Sequence, residues 1–162
     1  MSTSARLSDV ALPVYCLKPG DHQAGVDLDS FSMESYHRAT VLLLTAVLTG
    51  DAVIKFYAGA TAGTKTTAIA FAYRLASGEQ GATSADLLGA RSTAVAADGV
   101  TLTAATYDNK QTLFEIDAAA LPADKPWVTG EISAAADAFN AAAVAILAPA
   151  RYAGDPMITA IS

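Results

Sequence analysis

The segment Gly59-Ala60-Thr61-Ala62-Gly63-Thr64-Lys65-Thr66 comes nearest in this sequence to a phosphate-binding loop. Backbone amides wrap a phosphate in that motif only where glycine directly precedes the lysine, and here Thr64 takes that place. The residues that follow alternate with a period of two, whereas the anion in such sites rests on a helix N-terminus. The histidines, His22 and His37, have no second His, Cys or carboxylate at ligand spacing on their own elements, and zinc needs three or four convergent ligands. His37 reads as a polar residue where a strand begins. Asp27 and Asp29 offer oxygens to calcium, but no glycine-containing ligand loop or later bidentate glutamate completes the set, so a solvated turn is expected. Cys16, the sole cysteine, has no base close in sequence, and no Gly-x-Ser-x-Gly elbow occurs. Glu115 and Asp117 share one face of an expected strand. Paired carboxylates there suit acid and base work, but the same positions suit solvent or a cross-strand meeting with Arg74 or Lys110. The expectation is no catalytic residue, no metal ligand and no cofactor, hence no enzyme.

The elements that position these groups read as strands. Thr40 to Leu48 is apolar on both alternating faces, as expected for a central strand covered on both sides. Thr49-Gly50-Asp51 supplies turn chemistry and Val53 to Ala58 alternates, so the two strands read as a hairpin. In Thr67 to Leu75, Ile69, Phe71, Tyr73 and Leu75 share one face, and Ala68, Ala70, Ala72 and Arg74 share the other. The large face belongs in the core; the alanine face either fills a thin side of it or lets a neighbouring subunit approach. Residues 76 to 89 read as a long surface loop with a short helical turn near Ser84 to Leu88. Arg91 to Ala97 and Val100 to Ala104 flank Asp98-Gly99, a two-residue hairpin signal, and Gln111 to Asp117 alternates after an Asp108-Asn109 turn. Glu131 to Ala148 is rich enough in alanine to suggest a helix. Thr129-Gly130, Asn140 and the run Val144 to Leu147 before Pro149 favour two strands instead, Trp127 to Ala135 and Ala141 to Ala148. Residues 1–25 read as an extended arm with a short edge strand at Val14 to Leu17, and residues 26–162 as one all-β domain, a β-sandwich or jelly-roll-like barrel.

With 162 residues the chain suits one core. Hydrophobic residues make up 52% and charged residues 16%, and mean hydropathy is +0.34, so there is little charge to cover a surface. The longest apolar stretch, Ala141 to Ala148, falls far short of the roughly 20 residues that span a bilayer, and no membrane partner is expected. The remaining outlet is burial of apolar surface between subunits or partners, tempered by 37 alanines that raise hydropathy without making large apolar patches. A net charge of -6 with scattered basic residues argues against nucleic acid. Met1 to Asp9 lacks the basic and apolar regions of a secretory signal, and a lone cysteine suits folding in a reducing compartment. Expected protein-interface residues are Leu7, Val10 and Leu12 in the arm, Ala68, Ala70 and Ala72 on the alanine face, and Arg151 with Tyr152 near the terminus, where an aromatic and a cation suit a partner and equally suit sealing the sandwich end.

Three stretches carry a family resemblance: Ala70-Phe71-Ala72-Tyr73-Arg74, Tyr107-Asp108-Asn109-Lys110 leading into Phe114-Glu115-Ile116-Asp117, and Ala148-Pro149-Ala150-Arg151-Tyr152-Ala153. In this order and spacing, over Phe31 to Ile161, the chain resembles the head decoration, or cement, proteins of tailed bacteriophages. The resemblance implies a β-sandwich or jelly-roll fold, assembly into homotrimers, and docking on the major capsid protein at the outer face of the virion after synthesis in the host cytoplasm. It implies no catalytic or cofactor residues. A head-tail joining or tail component, and a carbohydrate-binding β-sandwich, are the alternatives.

Overall fold

In the computed structural model, which describes residues 10–150, twelve strands build two antiparallel sheets packed face to face. The first sheet has the order β1 (Leu12–Asp21), β12 (Phe139–Ala150), β4 (Tyr36–Leu48), β10 (Gln111–Asp117), β7 (Phe71–Leu75), β8 (Ser92–Ala94). The second runs β2 (Val26–Asp27), β11 (Trp127–Ile132), β5 (Ala52–Gly59), β6 (Thr67–Ile69), with β3 (Phe31–Ser32) also on β11 and β9 (Val100–Leu102) also on β5. In chain order α1 (Ala104–Tyr107) follows β9 and a 3-10 turn at Ala118–Ala120 follows β10. The chain is an all-β sandwich, as expected.

Period-two alternation produces this architecture. In β10, Thr112, Phe114 and Ile116 are buried while their neighbours are half-exposed; β5 buries Ile54, Phe56 and Ala58 in the same way. Phe56 from the second sheet, Phe114 from the first and Phe71 meet edge to face or tilted, with ring centroids 5.0–5.7 Å apart, a geometry that favours aromatic packing beyond area alone. Opposite Phe56 on β11 stands Gly130. A Cβ there would lie 2.9 Å from the Phe56 ring, so the missing side chain is what lets the ring lie flat in the core. The alanine-rich C-terminal stretch is strand: Ala141, Ala143, Ala145 and Leu147 face inward, and β12 sits between β1 and β4.

Several local expectations are corrected. β4 and β5 form no hairpin, because the Thr49–Asp51 turn carries the chain from one sheet to the other. Asp98-Gly99 does form a turn, with both amides donating to the Val95 carbonyl oxygen and Gly99 at φ 71°. Its arms nevertheless pair elsewhere, β8 with β7 and β9 with β5. The single strand read at Thr67 to Leu75 is two strands in different sheets, split at Ala70, since the alternation continues unbroken across the crossover. Ser84 to Leu88 is a set of turns and not a helical turn. Residues 12–21 of the expected arm are the edge strand of the first sheet, longer than the Val14 to Leu17 piece. β4 occupies the interior of its sheet, as expected, but only its inner face is covered by the rest of the described chain.

Candidate interaction surface

The two outward faces of the sandwich differ in chemistry. On the second sheet the face is closed over by polar groups. Lys65 Nζ donates to Asp27 Oδ1 at 2.8 Å and Glu131 Oε2 at 2.6 Å, and lies 5.8 Å from the Tyr57 ring centroid. These hydrogen bonds, to Asp27 and then Glu131, push the Lys65 ammonium above the ordinary lysine range. Thr129 is buried beneath the 59–66 loop, its hydroxyl 2.8 Å from Ser30 Oγ, which in turn accepts from the Gly63 amide. The loop that superficially suggested phosphate binding is thus a cover for this sheet.

On the first sheet the outward face is apolar and open. Cross-strand register places Tyr15 beside Val144, Val144 beside Leu42, Leu42 beside Leu113, and Leu113 beside Arg74, one continuous row over five strands. Pro13, Ile146, Thr40, Glu115 and Ala72 form the next row. Tyr15 is 54% exposed and Leu44, further along β4, 48%. Charge enters the face beside the first row: Arg38 pairs with Asp117 at 2.8 Å, and Glu115 of the second row pairs with Arg91 at 2.7 Å. At the end away from Tyr36 the floor dips into two adjoining open depressions of about 310 and 440 Å³, which share Leu44, Thr45 and Gln80.

Of the expected interface residues, Val10 is exposed just before β1 and Leu12 is half-buried opposite Leu147. Ala68, Ala70 and Ala72 do not form one surface: Ala68 faces outward on the second sheet beside Tyr57, Ala70 is exposed at the crossover, and Ala72 is nearly buried on the outward side of the first sheet. Leu7, Arg151 and Tyr152 lie outside the described residues. Sequence reasoning missed the Tyr15–Arg74 row. Its signal was the apolar character of both faces of β4, read as complete internal coverage.

The chemically capable groups are dispersed. Cys16 is buried, and burial chiefly, with the Asp29 charge adding, pushes its thiol up to about 11 against a hydrogen bond from the Ala145 backbone. His22 is buried with Nε2 donating to the Lys18 carbonyl oxygen at 3.0 Å, while His37 is exposed at the start of β4. Glu115 and Asp117 do meet cations, but these are Arg91, just before β8, and Arg38, across from Asp117 on β4, and not Arg74 or Lys110. Among the described residues no three His, Cys, Asp or Glu side chains gather where they could hold a metal ion, and no helix is long and apolar enough to cross a membrane.

No family model matches the chain, and no curated protein matches it significantly. Among solved structures, a structure of infectious bursal disease virus, Gx strain, aligns with a TM-score of 0.20 and 11% identity over 94% of this chain and 43% of its own. The SPBc2 prophage-derived protein YomS aligns with a TM-score of 0.49 and 15% identity over 85% of this chain and 91% of its own.

Proposed function

We propose that the chain is a structural protein of a tailed bacteriophage, a decoration protein that docks on the outer surface of the capsid, associates with copies of itself and performs no catalysis. The observation that carries the reading is the asymmetry of the sandwich: one outward face covered by the 59–66 loop and the Lys65 ion pairs, the other presenting Tyr15, Val144, Leu42 and Leu113 in one open, mainly apolar row. Open apolar sheet of that extent is the mark of a contact surface in a soluble domain. The three stretches that resemble phage cement proteins supply the kind of partner. Two of them, Ala70 to Arg74 and Tyr107 to Asp117, belong to the crossover and central strand that build the face.

In this role the chain stabilises a shell by binding its assembled state and not its dissociated one, and modest contacts add by avidity across a repeating lattice. Antibody against the chain, applied to intact particles of the phage that encodes it and viewed by immunogold electron microscopy, should decorate the head over its whole surface. Label confined to the neck or tail would replace this reading with a head-tail joining or tail role. Intact particles that carry no label and no copies of the chain by mass spectrometry would remove it.

A further inference from the structure

We propose that Arg74, with Arg91 beside it, is the site at which this chain holds a carboxylate of its partner, an aspartate or glutamate side chain presented by the capsid surface. This rests on the capsid docking proposed above and names the group that the β7–β8 side of the sheet recognises.

Arg74 stands on the outward side of β7, opposite Leu113 of β10. Arg38 and Arg91, the other arginines among the described residues, each hold a carboxylate, Asp117 at 2.8 Å and Glu115 at 2.7 Å. Arg74 holds none: among the described residues it makes no ion pair, and its Nε–H is buried without an acceptor. A buried donor left without its hydrogen bond costs the folded chain that group's desolvation. The guanidinium is a planar fork of donors whose geometry matches a carboxylate.

Its neighbour adds a second cost. β8 pairs with β7 from Phe71 against Ala94 to Tyr73 against Ser92, and further along the same run the Gly89 amide donates to the Leu75 carbonyl oxygen. Arg91, between Ser92 and Gly89, therefore lies alongside Arg74. It is on the same outward face, since it reaches over β7 to Glu115 of β10. Two guanidinium charges thus stand together against the single carboxylate of Glu115. Like charges side by side on neighbouring strands destabilise a sheet, and local conflicts of this kind are kept where a site needs them. One more carboxylate, supplied from outside the chain, accepts from Arg74 and balances the pair, relieving both costs at once.

The surroundings identify the source of that carboxylate. Arg91 is half exposed, so a free anion here competes with water and salt, and the net charge of -6 turns polyphosphates away. A side chain borne on a surface that covers Leu113 and Leu42 loses that water as it docks, and a bidentate pair strengthens there. Apolar contact supplies area without direction. The Arg74 pair fixes the orientation in which the two surfaces meet.

The test uses the full chain and capsids stripped of it. Arg74→Leu removes a charge that the isolated chain leaves unpaired, so its thermal midpoint should equal or exceed that of wild type. Its dissociation constant for capsids should rise at least about tenfold, as for a lost hydrogen bond to a charged group. An arginine with a purely structural role would do the reverse, lowering the midpoint and leaving binding alone. If Arg74→Leu melts early, Arg74→Gln, which keeps most of the stem and loses the charge, decides by the same comparison. Equal capsid affinities for wild type and the variant that keeps its midpoint overturn the inference. So does saturation of the Arg74 Nε–H NMR signal by inorganic phosphate at low-millimolar concentration, the mark of a free-anion site. A wild type that binds no capsid sinks the proposed function and this inference together, whereas tight binding that the Arg74 variant retains sinks this inference alone.

Discussion

At the scale of single residues, the two outward carboxylates of β10 are engaged in ion pairs, Glu115 with Arg91 and Asp117 with Arg38. Spacing sufficed to show that Glu115 and Asp117 share a face, and that face does carry ion pairs. Their partners, Arg91 just ahead of β8 and Arg38 on β4, were not legible because each pairing joins residues distant in sequence. Such exposed pairs are worth about 0–1 kcal/mol each, so they tune the face and do not hold the fold. Cys16 gives a sharper consequence. Its ordinary value of 9.0 rises to about 11 in the folded chain, chiefly through burial. The folded state therefore keeps a proton that the unfolded state has released, and stability falls as pH rises through that window. The contribution is complete below pH 9, gone above about 11, and amounts to about 3 kcal/mol for a shift of this size. Burial also raises the Tyr36 and Tyr107 phenols, which slope the same way. The measurement is thus a difference: urea unfolding of wild type and Cys16→Ala from pH 7 to 11.5 should show a steeper alkaline loss in the wild type. Parallel curves would mean that the thiol is not held protonated by the fold.

At the scale of elements, strands were legible wherever large and small residues alternate against a single core, and β10 spans the very residues that the pattern marks, Gln111 to Asp117. Pairing was not legible, because turn chemistry is local while the choice of sheet is set by which core a strand can fill. Asp98-Gly99 shows the separation. Gly99 adopts the positive φ that the dipeptide foretells, yet its amide bonds close a turn between strands of different sheets. There the glycine is required on two counts, its φ of 71° and the 2.3 Å that would separate an added Cβ from the Ile54 carbonyl oxygen. Gly99→Ala should cost at least 1–2 kcal/mol, about the cost of a left-handed residue before any clash is counted, and lower the thermal midpoint by several degrees. Gly20→Ala, where an added Cβ meets nothing within 4 Å, should leave the midpoint within about a degree, as surface changes do. Equal midpoints for the two variants would contradict the close approach of the 98–99 turn to β5.

At the scale of the whole molecule, composition foretold surplus apolar surface without placing it. The alanines that seemed to offer it are spent on the thin inner side of β12 and on three unconnected spots at Ala68, Ala70 and Ala72. The larger side chains Tyr15, Leu42, Leu44, Leu113 and Val144 make the open face. No window of sequence contains that face, since register across five strands assembles it. A sandwich with one polar and one apolar outer side suits a building block, and the reading stands on whether this block attaches to a shell. Cosedimentation of the purified chain with capsids stripped of it, over a range of concentrations, tests this most directly. The account predicts saturable binding to the outside of the capsid in a fixed ratio to capsid protein, together with a higher temperature of capsid disruption. A folded chain that remains in the supernatant at every concentration would contradict it.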